Sequence, residues 1–181
     1  AVLFDVGNTL LYFEGDWEMV YAEADLALAL ALHEMLPDLN TAAFIRNFRE
    51  RLTAYYIQRE TDLEEHTTGQ VLHLTLEGMG WSNLPETTIP RALQAYYRVS
   101  QTYWIADPEA APTLAALRAR GFRLGVISNA ANDQDVEDLI DKAGLRALLD
   151  FVLTSAAFGV RKPDPRIFQA ARSPREYRPR A

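Results

Sequence analysis

Three kinds of reactive side chain recur in this chain in one kind of place, shortly after a brief apolar run. Asp5 follows Val2-Leu3-Phe4, Ser128-Asn129 follows Val126-Ile127, and Lys162 comes a few residues after Phe151-Val152-Leu153-Thr154. Short apolar runs of this kind, bounded by turn residues, read as buried strands of a parallel sheet. The carboxyl ends of such strands share one edge of the sheet, where open α/β folds bind their ligands. Together the three groups suit a phosphoryl group. A carboxylate can attack phosphorus. A hydroxyl and loop amides can hold the equatorial oxygens, and a lysine can offset their charge. Singly, each has an ordinary reading as a turn residue or a solvated loop charge; the shared position makes them a candidate site.

The elements that must position them are legible in outline. Residues 1–4 form the first expected strand; Gly7 and Asn8 then break it, since both tolerate unusual backbone angles. Further strands are expected over 122–127 and 151–154. Helices are expected over 110–120, ended by Gly121, and over 134–143, ended by Gly144. Strand and helix alternating at this spacing argue for a parallel sheet with right-handed crossovers. A loop then leads to Asp164 and Pro165, suited to cap and open a last helix over 167–171.

Between residues 16 and 104 the pattern is helical, with no strand signal. Asp16 can cap a helix running to Met35. Asn40 or Thr41 starts a second, in which Phe44, Ile45, Phe48, Leu52 and Tyr55 share a face. Thr67 or Thr68 opens a third, closed by Gly78 and Gly80, and Pro90 opens a fourth that runs to about Tyr103. The block reads as a small helical bundle inserted between two strands.

Composition narrows the function classes. The chain of 181 residues is 49% hydrophobic, enough for one domain with a sizeable insertion. It has no cysteine, which excludes disulfides and thiol chemistry and leads us to expect a cytoplasmic protein. No signal peptide or bilayer-spanning run is seen, so no membrane partner is expected. A net charge of −7 argues against nucleic acid as a partner. His66 and His73 read as surface histidines, the Tyr55-Tyr56 and Tyr96-Tyr97 pairs as core, and Asp133, Asp135, Glu137 and Asp138 as acids favoured by a helix dipole.

The chain resembles the haloacid dehalogenase-like (HAD) hydrolases. The resemblance lies in Phe4-Asp5-Val6-Gly7-Asn8-Thr9-Leu10, in Val126-Ile127-Ser128-Asn129 and in Gly159-Val160-Arg161-Lys162-Pro163-Asp164-Pro165-Arg166-Ile167-Phe168. The helical insertion between the first and second of these looks like the family's helical cap. The resemblance implies Asp5 as nucleophile, with Lys162 as its catalytic partner at the phosphoryl group. It implies Asn8, Thr9, Ser128 and Asn129 as substrate-binding residues, and Mg²⁺ held partly by Asp5 and the carbonyl of Gly7.

Two departures from the family pattern stand out. Phosphatases of the family usually carry a second Asp two residues after the nucleophile, as general acid and base. Here that position is Gly7, and losing such a group costs roughly 10²–10⁴ in rate. Gly7 is also a candidate for a positive φ. In addition, nothing after Lys162 reads as the family's fourth motif, a strand ending in Gly-Asp that supplies the remaining Mg²⁺ ligands. The Arg- and Pro-rich residues 171–181 are expected to come from a truncation or a shifted reading frame, and residues 173–181 to form a disordered tail.

The sequence therefore predicts a three-layer, Rossmann-like α/β fold over 1–14 and 105–172. Its parallel sheet is incomplete at the C-terminus, and an α-helical cap over 15–104 is inserted in it. The predicted function is a HAD-like hydrolase of the phosphatase or dehalogenase type, acting through Asp5 on a small phosphorylated or halogenated metabolite. The alternative is an impaired or inactive HAD-fold binding module. With no fourth-motif strand, residues 2–6 are expected to form a sheet edge that invites self-association.

Overall fold

A computed structural model of the chain describes residues 1–172; the expected tail, 173–181, lies outside the described residues. The chain divides into two compact units, one of Ala1–Glu14, Leu63–Glu65 and Trp104 onward, the other of Gly15–Asp62 and His66–Tyr103. The first begins with β1 (Val2–Phe4) and β2 (Leu11–Phe13). The second consists of α1 (Trp17–Met35), α2 (Thr41–Asp62), α3 (Thr68–Gly78) and α4 (Thr88–Gln101). The first unit then resumes with β3 (Trp104–Ala106), α5 (Ala110–Ala119), β4 (Leu124–Ser128) and α6 (Asp133–Lys142). It continues through β5 (Phe151–Thr154), α7 (Ser155–Phe158) and α8 (Pro165–Arg172). No helix among the described residues is long and apolar enough to cross a membrane.

The α/β unit is built on a parallel sheet in the order β1-β4-β5, with Phe4 opposite Val126 and Ser128 opposite Thr154. Side chains alternate between the faces of a strand, and β4 shows the consequence. Leu124 and Val126 join Leu114 of α5 and Val136, Leu139 and Ile140 of α6 in one core. Ile127 joins Leu153 of β5 and Ile167 and Ala171 of α8 in another. Helices thus cover both faces, the three-layer arrangement expected. Among the described residues β1 pairs with a strand on one side only, and its Leu3 is exposed.

Gly125 is dictated by its neighbour across the ladder. A Cβ on it would stand 2.3 Å from ring atoms of Phe151, its register partner, so the ring occupies the space a side chain would need. Gly125→Ala should therefore push the ring out of place and cost about 1–3 kcal/mol, as overpacking does. Chemical denaturation of the two proteins measures this directly, and equal midpoints would mean that the ring moves freely.

The structure corrects the expected elements in several places. The strand placed over 122–127 begins at Leu124 and includes Ser128. The α4 helix begins before Pro90, at Thr88. The short helix α7 fills part of what reads as a loop before Gly159, capped by the Thr154 hydroxyl, which accepts from the Ala157 amide. A two-stranded antiparallel ribbon, β2 with β3, was not foreseen.

In the helical unit the caps act as expected. The Asp16 carboxylate accepts from the Met19 amide at 2.9 Å, and Thr67 and Gln70 form a reciprocal capping box. Phe44, Phe48, Leu52 and Tyr55 of α2 are buried with Leu28 and Leu32 of α1, Leu72 and Leu76 of α3, and Leu93 and Tyr96 of α4. Asp25 is a buried acid in the midst of apolar α1, paired with Arg49 of α2, whose Nε donates to it at 2.8 Å. Burial pushes the Asp25 carboxyl above its ordinary range, against the opposing pull of Arg49.

Candidate active site

The loop after β1 is wound around a single oxygen. The Val6 carbonyl accepts from the amides of Thr9 at 3.2 Å, Leu10 at 2.9 Å and Leu11 at 3.0 Å. Such a turn needs one residue in the left-handed region, and Asn8 takes it with φ 56°. Asn is among the few L-residues that visit this region routinely. Gly7 is not in that region, so the expected positive φ falls one residue later than position 7. The Val6 amide donates to Asp5 Oδ1 at 2.8 Å and fixes the carboxylate at the mouth of the loop.

Lys162 meets Asp5 there. Its Nζ stands 2.9 Å from Asp5 Oδ2 and donates to the Ile127 carbonyl at 2.8 Å, so one ammonium ties the ends of β1 and β4 together. The Asp5 side chain is 45% exposed and that of Lys162 20%, which leaves the carboxylate open to an incoming molecule. Asn129 holds the lysine's own backbone. Its Oδ1 accepts from the Lys162 amide at 2.7 Å, and its Nδ2 donates to the Lys162 carbonyl at 3.0 Å. Asp5, Lys162 and Asn129 are thus joined by direct contacts. Ser128 is buried as the last residue of β4, the strand beside β1, and Asn8 and Thr9 are exposed in the loop.

Trp104 crowds position 7. A Cβ on Gly7 would lie 3.2 Å from Trp104 Cη2, and the indole is itself set edge-on to Phe13. The constraint is therefore crowding, with no demand on φ. Nothing in the residue pattern couples positions 7 and 104, since their meeting depends on the β2–β3 ribbon.

The expected Mg²⁺ ligands were Asp5 and the Gly7 carbonyl. Among the described residues no group of three or more His, Cys, Asp or Glu side chains could hold a metal ion. Mg²⁺ requires a near-octahedral oxygen shell. Asp5, paired with the Lys162 ammonium, and the Gly7 carbonyl could supply two oxygens of such a shell, the rest falling to water and a substrate phosphate. The remaining candidates behave as ordinary structure. His73 is exposed, and His66 is half-buried with its ring edge-on to Tyr55. Asp133 accepts from the Thr154 hydroxyl at 2.6 Å, tying the first turn of α6 to the end of β5.

Comparison with known proteins shows what the chain is similar to. A family model described as haloacid dehalogenase-like hydrolase matches residues 1–173. The human haloacid dehalogenase-like hydrolase domain-containing protein 3 is 47% identical over 88 residues, 48% of this chain and 34% of that protein. The chain spans about a third of the length of the mammalian relatives it matches. A glyceraldehyde 3-phosphate phosphatase of Methanothermobacter thermautotrophicus is 42% identical over 171 residues, 94% of this chain and 69% of that protein. In fold, the chain is similar to a 2-haloacid dehalogenase from Pseudomonas syringae pv. Tomato DC3000. That likeness has a TM-score of 0.56 and 24% identity, over 96% of this chain and 70% of that one.

Proposed function

The chain belongs to the haloacid dehalogenase-like hydrolases, and from that premise we propose that it hydrolyses a small phosphorylated metabolite through a covalent intermediate on Asp5. The observation that carries this reading is the ammonium of Lys162, poised between the Asp5 carboxylate and the Ile127 carbonyl. It brings positive charge to where a phosphoryl group's oxygens would lie as the carboxylate reaches phosphorus. An Asp5 oxygen bonds to phosphorus while the bond to the ester oxygen breaks, and the leaving alkoxide takes its proton from water. Water then attacks phosphorus, gives up its proton to solvent, and restores the Asp5 carboxylate with release of inorganic phosphate. Ser128 and the exposed loop residues Asn8 and Thr9 steady the phosphoryl oxygens, and Asn129 keeps Lys162 in place. The helical unit is assigned the part of a cap that selects the substrate, and the side of β1 that carries no strand among the described residues that of a self-association edge.

A second reading is favoured by Gly7. Displacement of halide from a 2-haloacid by the same carboxylate needs no proton donor for the leaving group. The Asp5 oxygen bonds to carbon as the carbon–halogen bond breaks, and water hydrolyses the resulting ester. The rival class, a fold kept without turnover, draws on the same Gly7 and on the short set of metal donors. A panel of phosphate esters and 2-haloacids, run with and without Mg²⁺, separates the three. Turnover of esters supports the first reading, turnover of haloacids the second, and silence on both the third.

The role given to position 7 has its own test. Gly7→Asp would restore a proton donor, worth roughly 10²–10⁴ in rate when well placed. It should speed hydrolysis of an ester with a poor leaving group about tenfold more than one with a good leaving group, because only the former needs protonation. Trp104 must yield a few tenths of an ångström to admit the new Cβ, so circular dichroism should first establish that the variant folds. An equal change for both esters would contradict the role.

A further inference from the structure

Glu65 has a fully buried side chain, yet it lies in a run, Asp62-Leu63-Glu64-Glu65-His66, that reads as solvated polar chain. Although α2 and α3 flank it in sequence, Leu63–Glu65 belongs to the α/β unit. Glu64 forms an antiparallel bridge with Val160. The Glu65 amide donates to the Gly159 carbonyl at 3.1 Å, and the Arg161 amide donates to the Leu63 carbonyl at 2.8 Å. The segment is thus a crosspiece laid along residues 159–161, immediately before Lys162.

The Glu65 side chain adds a second attachment. Its Oε2 accepts from the Arg161 guanidinium and from the Ser155 hydroxyl. Ser155 Oγ in turn accepts from the Ala130 amide at 2.9 Å. Ala130 follows Asn129, and Arg161 precedes Lys162. The two bonds between the Asn129 side chain and the Lys162 backbone complete the circuit. Glu65, Arg161, Lys162, Asn129, Ala130 and Ser155 therefore form a closed ring of contacts.

A buried ion pair is a poor device for stability alone, because desolvating two charges offsets most of their attraction. Its geometry is specific, however, and here the pair spans the two loops that meet at Lys162. We propose that Glu65 is a positioning residue that fixes the Asn129-Ala130 and Arg161-Lys162 loops against each other, so that the Lys162 ammonium is presented to Asp5. This rests on the roles proposed for Asp5 and Lys162. Glu65 touches neither the reacting carboxylate nor, on this account, the substrate; it acts through the lysine.

The test uses the full chain and the fact that Lys142 and Lys162 are its only lysines. Trace acylation with acetic anhydride, read by peptide mass spectrometry, gives the labelling of Lys162 relative to exposed Lys142. Glu65→Gln keeps the shape and removes the charge. In the folded variant the Lys162:Lys142 labelling ratio should rise severalfold as the ammonium loosens. On the best substrate of the panel, kcat should fall about tenfold or more with KM changed less than about threefold, the mark of lost orientation. A purely structural role would lower the melting temperature and leave both readouts unmoved, and that result overturns the proposal. Should Glu65→Gln not fold, Ser155→Ala removes the strut to Ala130 without stranding a buried charge. An unchanged labelling ratio in that variant overturns the proposal equally. If the wild type turns over no substrate, the functional reading fails, and the labelling ratio still decides the part played by Glu65.

Discussion

Asp5→Asn is expected to abolish turnover, by roughly 10⁴-fold or more as for other nucleophile deletions, while leaving the protein folded. The first half follows from chemistry. An amide is a poor nucleophile and cannot form the acyl phosphate or ester, whichever substrate class is used. The second half follows from the carboxylate's surroundings. Its ion pair with Lys162 is partly exposed, and pairs of that kind contribute about 0–1 kcal/mol. The turn behind it hangs from the Val6 carbonyl, which the substitution does not touch. The melting temperature should therefore shift by a few degrees at most. Wild-type rates in Asp5→Asn would end the covalent reading for phosphate esters and haloacids together.

The second large effect is expected at Lys162. Lys162→Met keeps the aliphatic stem and deletes the ammonium that lies 2.9 Å from Asp5. Loss of one preorganised charge at a developing anion costs about 10²–10³ in kcat. The loop should hold its course, because Asn129 grips the Lys162 backbone at both amide and carbonyl, independently of the side chain. Steady-state kinetics with a phosphate ester check this. A fall confined to KM would make Lys162 a binding residue with no part in the transition state. In the double variant with Asp5→Asn the losses should not add, since the lysine has no role once the nucleophile is gone.

Much of the fold was legible because its signals are local. Asp16 and Thr67 cap helices wherever tertiary contacts lead, and Phe44, Phe48, Leu52 and Tyr55 recur at the spacing of one helical face. The ends of β1 and β4 were legible from apolar runs that stop at Asp5 and close to Ser128. The β2–β3 ribbon was not, because strands of three residues show no period, and Leu11–Phe13 pairs with residues far along the chain. Position 7 was recognised as special for its missing carboxylate. The ring that crowds it, Trp104, lies across that same ribbon. Glu65 was invisible for a related reason. Acids in a polar run read as solvated, and only the distant Arg161 and Ser155 make burial of this one tolerable. Where side chains act through neighbours in sequence, pattern is enough; where they act through the fold, it is not.

The central claim is that Asp5 becomes covalently bonded to substrate, and one measurement reaches it directly. The chain is mixed with its best substrate, quenched in acid during turnover and digested, and the N-terminal peptide is weighed. The account predicts a fraction of that peptide carrying the phosphoryl or acyl group on Asp5, absent from Asp5→Asn treated identically. Steady product formation with an unmodified Asp5 peptide at every quench time, or an adduct on another residue, would contradict it.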